Sequence, residues 1–148
     1  MSTEANKAIV RRFFEEYWNQ RKLDTLGEYV SPERLHHFGK RAEAHGLDQM
    51  RGMNTLWYSA APDFKYHVEQ LIGEGDRIAA LVSFTGTQTG THHVAGRSLP
   101  PSSRTFSVTE MFIFRIAEGK IVESWAVWDR LSLLEQLGGS DAPFEAAP

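Results

Sequence analysis

The sequence has 148 residues, 41% of them hydrophobic and 24% charged, with a formal net charge of −3 at pH 7. This length predicts a single domain, and the slightly acidic balance gives no reason to expect nucleic acid or an anionic membrane as a partner. The absence of cysteine excludes disulfides, thiol catalysis and thiolate metal sites. No apolar run approaches the roughly 18 residues of a membrane span, and Met1–Glu4 does not begin a signal peptide, so the expected location is the cytoplasm.

The chain begins with a predicted amphipathic helix from Thr3 to about Gln20. Its apolar residues recur in two adjacent rows at helical spacing, which forms a wide apolar face of the kind that lies across a sheet. That face consists of Ala5, Ile9, Val10, Phe13, Phe14, Tyr17 and Trp18.

Two further helices are predicted before Pro62. Asp24 is a candidate N-cap for a short helix, Thr25–Val30, which ends at a Ser-Pro pair. A third helix runs from about Leu47 to Ala61 and has one broad apolar face. The members of that face are Met50, Met53, Leu56, Trp57 and Ala60. The segment between these two helices, Glu33–Gly46, is polar and contains three of the six histidines.

After Pro62 the apolar period changes to that of strands. The predicted strands are Phe64–Ile72, Arg77–Thr87, Arg104–Ile116 and Lys120–Trp128. Glycine-containing turns join the first pair and the last pair, which predicts antiparallel hairpins, whereas Gly90–Ser103 contains a Pro-Pro pair and is predicted to be a loop.

The C-terminal part is predicted to hold a short helix that ends at Gly138, with Asp129 or Ser132 as its N-cap. Residues 1–138 are therefore expected to form the domain, and residues 139–148 a disordered tail. Helices first and strands after predict an α+β fold in which a curved antiparallel sheet wraps around the helices. Two of the strands are apolar on both faces, so the second face must meet another subunit or a pocket.

Several kinds of site are not supported by the sequence. The histidines show no spacing typical of metal ligands, and no Gly-x-Ser-x-Gly sequence is present. The segment Gly86–Gly90 lacks the lysine of a phosphate-binding loop and follows a strand without opening a helix. Neither a metal nor another cofactor is expected.

Glu110 is the candidate for chemistry. Strand alternation places it on the same face as Val108, Phe112 and Phe114. A glutamate on an apolar face is paired, lies at the rim, or has a pKa raised toward that of a general acid–base group. Asp129 is more simply interpreted as a helix cap.

Five segments in order resemble the SnoaL-like polyketide cyclases of the NTF2-like (cystatin-like) superfamily. They are Ile9–Phe14, Gly86–Gly90, Pro100–Pro101, Phe114–Glu123 and Leu134–Gly138. The resemblance implies a cone-shaped barrel, in which a bent sheet wraps a long N-terminal helix and encloses a pocket. It also implies a homo-oligomer, commonly a dimer or larger, that uses the outer face of the sheet.

The resemblance further implies which positions carry the reaction, an intramolecular aldol closure. The family's acid–base Asp corresponds here to Ala126, its assisting His to Phe112, and a polar residue near them to Glu110. The histidine often found in the Gly-Thr-x-Thr-Gly turn is Gln88. Tyr17 and Met53 fall at pocket-lining positions and His37 near a polar pocket position. Because alanine cannot transfer a proton, the usual cyclase residues cannot operate in this chain.

Two main hypotheses remain open at this stage. In the first, Glu110 has taken over acid–base chemistry on a flat, apolar, carbonyl-bearing molecule, in a pocket that also includes Trp57, Phe112 and Trp128. In the second, the pocket binds a small apolar ligand without changing it. A third role, as a subunit whose sheet face serves assembly, is also left open.

Overall fold

The computed structural model describes residues 2–39, 41–44, 46–94 and 96–138. The predicted disordered tail, residues 139–148, lies outside the described residues, as does His45. No helix in the described part of the chain is both long and apolar enough to cross a membrane.

The α+β prediction is confirmed: helices pack on a large, mostly antiparallel sheet that is curled but not closed. The helical elements are α1 (Thr3–Arg12), a π-helical segment (Phe13–Asn19), a 3-10 turn (Leu23–Thr25), α2 (Leu26–Tyr29), α3 (Leu47–Ala60) and α4 (Arg130–Gln136). The strands are β1 (Val30–Phe38), β2 (Arg41–Ala44), β3 (Lys65–Glu74), β4 (Arg77–Thr87), β5 (His92–Val94), β6 (Arg97–Leu99), β7 (Thr105–Ala117) and β8 (Lys120–Trp128).

The first helix changes its geometry halfway along. Helix α1 is capped by the Ser2 hydroxyl, which accepts a hydrogen bond from the backbone N–H of Ala5 at 3.1 Å. From Phe13 the chain continues as a π-helix with i→i+5 hydrogen bonds, such as the bond from Gln20 N to Glu15 O at 2.9 Å. The predicted extent is therefore confirmed, and within it the helix changes from α to π geometry. The four aromatic residues of the π-helical segment are all buried.

The sheet has the strand order β2-β1-β8-β7-β4-β3. All neighbours are antiparallel except β1 and β8, which are parallel, so the prediction of a purely antiparallel sheet was incomplete. The bounds of β4 and β8 match the predicted ones, and β3 and β7 are shifted slightly. The hairpin of β5 and β6 lies where a loop was predicted.

Strands β1 and β2 lie in the segment interpreted as polar. They were not predicted, because β1 does not follow the usual alternation of apolar and polar residues. Arg34 is only 5% exposed, whereas its apolar neighbour Leu35 is 38% exposed. A strand with inward polar residues has no hydrophobic period that could reveal it. The short helix before it also differs from the prediction, since Asp24 lies inside the 3-10 turn and Val30 begins β1.

Helix α3 has the predicted length, but its buried face is rotated relative to the predicted one. The buried residues are Met50, Asn54, Tyr58 and Ala60, whereas Met53 and Leu56 are exposed. The end of α3 is closely contacted by the turn after β4. A Cβ on Gly90 would lie 2.2 Å from the carbonyl oxygen of Ser59, and Gly90 N donates to Ala60 O at 3.0 Å. Only glycine fits this approach.

The C-terminal helix is capped as predicted by Asp129, whose carboxylate accepts from the backbone N–H of Ser132 at 2.9 Å. Asp129 is therefore a structural residue. The core lies between the helices and the inner face of the sheet, and its largest fully buried side chains include Tyr17, Tyr29, Phe14, Phe84 and Phe114.

Candidate functional site

A cavity of about 770 Å³ lies on the inner face of the sheet. Its walls come from the sheet, the π-helical segment, α3 and the β5–β6 hairpin, and this volume is typical of sites for small organic molecules. The walls are largely aromatic and include Trp18, Trp57, Tyr66, Phe84, Phe112 and Trp128. Such walls favour a flat, apolar ligand.

Glu110 lies in the cavity wall on β7 and is 6% exposed. Its cross-strand neighbours are Val82 on β4 and Trp128 on β8. The hydroxyl of Tyr66 donates a hydrogen bond to Glu110 Oε1 at 2.9 Å. Burial raises the pKa of Glu110 to about 8, although the Tyr66 bond works in the opposite direction. The carboxyl group is therefore mostly protonated at pH 7.

Tyr66, on β3, is positioned by the end of the π-helical segment. Asn19 accepts a hydrogen bond from the Tyr66 backbone N–H at 2.8 Å and donates to its carbonyl oxygen at 2.9 Å. Burial, followed by the adjacent Glu110, raises the pKa of Tyr66 well above its usual value. The tyrosine hydroxyl therefore remains neutral and continues to donate to the carboxyl group.

His92 is a second titratable group in the cavity wall, on β5. Its ring lies 4.4 Å from that of Trp57 between centroids, and Nε2 is buried with no hydrogen-bond partner among the described residues. Burial, and to a smaller extent the neighbouring His93, lowers the pKa of His92 to about 4. The imidazole is therefore neutral at pH 7.

Side chains from β1 and β8 form a third polar region of the site. Arg34 Nη1 donates to the hydroxyl of Ser124 at 3.1 Å, and Nδ1 of His36 lies 2.7 Å from the same oxygen. Arg34 and His36 line the cavity, and Ser124 is fully buried behind them. Burial lowers the pKa of Arg34 to about 10, so the guanidinium stays charged at pH 7.

Five of the predicted site residues line the cavity. They are Glu110, Met53, Trp57, Phe112 and Trp128. Met53 is exposed and Trp57 is half-buried, and both come from α3. These residues come from α3, β7 and β8, and the sequence analysis proposed them as members of one pocket.

Three predicted pocket residues, Tyr17, His37 and Ala126, do not line the cavity. Tyr17 is fully buried in the core and its hydroxyl donates to Met50 O at 2.9 Å. Ala126 is buried on the inner face of β8 opposite Phe112. His37 was the wrong member of a histidine pair, because adjacent strand residues point to opposite sides. It stacks on Trp125 at 4.8 Å, whereas His36 lines the cavity.

Sequence reasoning missed Tyr66, His92 and Arg34 as functional candidates. Tyr66 had a usable signal, since it occupies an inward position on a strand that was predicted. His92 and Arg34 lie on strands β5 and β1, which were not predicted, so their direction could not be inferred. Within the described part of the chain, no cluster of three or more His, Asp or Glu side chains is arranged to hold a metal ion.

The family model for the SnoaL-like polyketide cyclase matches residues 8–137. No curated protein sequence matches the chain.

Several solved structures are similar over nearly their whole length. TsrD from Streptomyces laurentii is 29% identical with a TM-score of 0.80, and the match covers 94% of this chain and 98% of TsrD. A putative SnoaL-like polyketide cyclase from Jannaschia sp. CCS1 is 26% identical with a TM-score of 0.79, covering 95% of each chain. AclR, a putative hydroxylase from Streptomyces galilaeus, is 26% identical with a TM-score of 0.79, covering 93% of this chain and 98% of AclR.

Proposed function

This chain belongs to the SnoaL-like polyketide cyclase family, and we propose that it is a cofactor-independent enzyme in which Glu110 acts as a general acid on a flat, carbonyl-bearing substrate. The observation that carries the proposal is the burial of the Glu110 carboxyl group in the wall of a largely aromatic cavity, which raises its pKa to about 8. A carboxylic acid of this kind can donate a hydrogen bond, or a proton, to a carbonyl oxygen at neutral pH.

The hydrogen bond from Tyr66 determines which oxygen of the Glu110 carboxyl group carries the proton. Oε1 accepts the bond from Tyr66, so in the neutral carboxyl group the proton resides on the other oxygen. That oxygen is the donor available to the substrate. Tyr66 thereby orients the acid and stabilises the carboxylate that forms when the proton is transferred.

His92 is the candidate proton acceptor in the same cavity. Its pKa is shifted down and that of Glu110 is shifted up, a divergence that typically separates the base from the acid in an active site. In enolisation, the imidazole of His92 takes a proton from the carbon next to the carbonyl. Glu110 gives its proton to the carbonyl oxygen. The enol carbon can then add to a second carbonyl group of the same substrate, whose C=O π bond breaks. The alkoxide so formed takes the proton from the His92 imidazolium, and the former enol oxygen returns its proton to Glu110.

The position of Glu110 also supports a relocated reaction centre. Phe112 and Ala126, which stand where the family resemblance implies the usual His and Asp, are direct cross-strand partners. Neither can transfer a proton. Glu110 and its partner Trp128 form the next inward-facing pair along the same two strands. The proposed acid therefore lies one pair away from the family's usual position.

Enolisation can be tested without knowing the natural substrate. The probe is 2-tetralone in D₂O, and ¹H NMR follows the exchange of its α-protons for deuterium in the presence of the protein. We expect exchange above the buffer rate, and we expect Glu110→Gln to lower it by ~10²–10⁴-fold while binding of the ketone is nearly unchanged. Equal exchange rates for the variant and the native protein would exclude Glu110 as the acid.

The second candidate function is a non-catalytic binder of a small apolar ligand. It is favoured by the replacement of the family's acid–base pair by Phe112 and Ala126, which leaves this part of the wall apolar. This function predicts saturable binding of flat ketones with exchange no faster than in buffer. Under it, Glu110→Gln changes affinity only.

We also propose that the outer face of the sheet mediates self-association. Met111 and Val127 are direct cross-strand partners on that face, Ile113 lies beside them, and all three are exposed. A contiguous exposed apolar patch of this kind is typical of an interface. Met111→Lys should shift the sedimentation coefficient toward that of a monomer, and an unchanged coefficient in the variant would rule out this face.

A further inference from the structure

Arg34 is a buried cation that has no anionic partner in the described part of the chain. It is 5% exposed, and no described carboxylate lies within ion-pair distance of its guanidinium. Its hydrogen bond to a side chain is the one from Nη1 to the hydroxyl of Ser124, and Nε has no partner. A buried arginine normally has a paired carboxylate.

The neutral hydroxyl of Ser124 does not compensate for this burial. A guanidinium has five N–H donors, and a buried charge that is not paired carries a large desolvation penalty. The pKa of Arg34 is lowered only to about 10, so the group does not escape the penalty by losing its proton at neutral pH. The positive charge of Arg34 is therefore retained in the wall of the cavity, and no described carboxylate balances it.

The location of Arg34 relative to Glu110 defines the kind of molecule that could supply this counter-charge. Ser124 pairs with Phe114 on β7, four residues from Glu110 along the same face. At the rise of an extended strand, this corresponds to ~13 Å between backbone positions. The apolar pair of Phe112 and Ala126 lies between the two polar positions. The cavity thus has an acid at one end, an aromatic middle and a cation at the other end.

We propose that Arg34, which is held by its hydrogen bond to the hydroxyl of Ser124, forms a subsite for a carboxylate group carried by the ligand. The ligand class is then a flat aromatic ketone or quinone with a carboxylate remote from its reacting carbonyl. The assignment of the reacting end rests on the function proposed above for Glu110. The carboxylate subsite rests on the burial of Arg34 and on the absence of a carboxylate partner for it among the described residues. A planar carboxylate suits the forked donors of a guanidinium.

A second arginine in the same cavity differs from Arg34 in its exposure to solvent. Arg130 also lines the cavity, but it is exposed and its guanidinium lies 4.3 Å from the ring centroid of Phe38. An exposed arginine attracts anions weakly and its attraction is screened by salt. A buried arginine retains its preference for a carboxylate at high ionic strength.

The experiment compares two probes that differ only in charge, anthraquinone-2-carboxylate and its methyl ester. Binding is measured by quenching of tryptophan fluorescence, since Trp18, Trp57 and Trp128 line the cavity. We expect the native protein to bind the carboxylate at least about tenfold more tightly than the ester, also in 0.5 M NaCl. Arg34→Met, which retains much of the side-chain volume, should reduce this ratio to about one.

The controls are Arg115→Met, Arg130→Met and Glu110→Gln. Arg115→Met removes an arginine from the other face of the sheet and should retain the native ratio. Ester binding by Arg34→Met shows that the variant folds and keeps its cavity. The proposal is overturned if the native protein does not prefer the carboxylate, if Arg34→Met retains the preference, or if Arg130→Met abolishes it. Glu110→Gln separates the two proposals, because it should lose α-proton exchange and keep the carboxylate preference.

Discussion

Two glutamates on neighbouring strands of the same sheet have opposite surroundings. Glu110, on the inner face of β7, is buried among aromatic residues and accepts a hydrogen bond from the hydroxyl of Tyr66. Glu123, on the outer face of β8, is 18% exposed and lies between two donors. These are Arg115 Nε at 3.0 Å and His37 Nε2 at 2.7 Å.

Their acidities differ accordingly. Burial raises the pKa of Glu110 to about 8, whereas the hydrogen bond with His37, followed by that with Arg115, lowers the pKa of Glu123. The residue type and the secondary structure are the same at both positions. The face of the strand therefore decides whether a glutamate is a proton donor at neutral pH or a fixed negative charge.

The largest expected difference between the two glutamates is in catalysis. Glu110→Gln should lower the α-proton exchange of 2-tetralone by ~10²–10⁴-fold. Glu123→Gln, outside the cavity, should leave the rate within about twofold. ¹H NMR under identical conditions measures both variants, and a comparable loss in Glu123→Gln would mean that the rate reports on folding and not on the acid.

The second difference concerns stability as a function of pH. Because the folded pKa of Glu110 lies near 8 and its ordinary value is 4.5, the folded state holds a proton that the unfolded state releases in this interval. The free energy of unfolding should fall with rising pH by up to about 1.4 kcal/mol per unit between these values. Glu110→Gln should lack this fall and be more stable than the native protein at pH 8.

The variant must be compared with the native protein in this measurement, because the titration of His92 changes the free energy of unfolding with pH in the opposite sense. Its folded pKa, about 4, lies below its ordinary value of 6.5, so its contribution to stability is lost as the pH falls through this interval. That contribution is shared by both proteins and cancels in their difference. Urea denaturation at several pH values provides the difference, and a difference that does not change between pH 5 and 8 would contradict the raised pKa.

A smaller effect is expected from Tyr66→Phe. The hydrogen bond from Tyr66 lowers the pKa of Glu110, so its removal should raise that pKa further above 8. As a general acid, Glu110 should cause the exchange rate to fall as the pH rises past its pKa. The variant should shift this alkaline limb to higher pH and lose about 1 kcal/mol of stability. A shift to lower pH would show that the hydroxyl has another role.

The smallest effect is expected on the outer face. Glu123→Gln removes charge from a partly exposed group, and such ion pairs contribute roughly 0–1 kcal/mol. Because the pKa of Glu123 is lowered, its contribution is present above its ordinary value of 4.5 and is lost as the pH falls through the folded pKa. Native protein and variant should therefore converge in acid, which chemical denaturation at pH 3 and pH 7 would reveal.

Much of the fold could be predicted from the sequence because the signals are local. The bounds of β4 and β8 follow from β-branched and aromatic residues between clear turn residues. Strand alternation placed Glu110 on one face with apolar neighbours but left the direction of that face open, and Asp129 was one of two candidate caps before α4. The missed strands lacked such signals: β1 has buried polar residues, and β5 and β6 are each three residues long.

The sequence by itself determined the order of helices and strands and the strand face that Glu110 shares with apolar neighbours, because hydrophobic period and turn chemistry are properties of neighbouring residues. The resemblance of five segments indicated the family. Only the tertiary structure decided the surroundings of that glutamate. Its partner Tyr66 is 44 positions away along the chain, and the hydroxyl next to Arg34 is 90 positions away. A pKa is set by burial and by contacts in space, so the raised pKa of Glu110 and the burial of Arg34 become recognisable only when β1, β3, β7 and β8 assemble around one cavity.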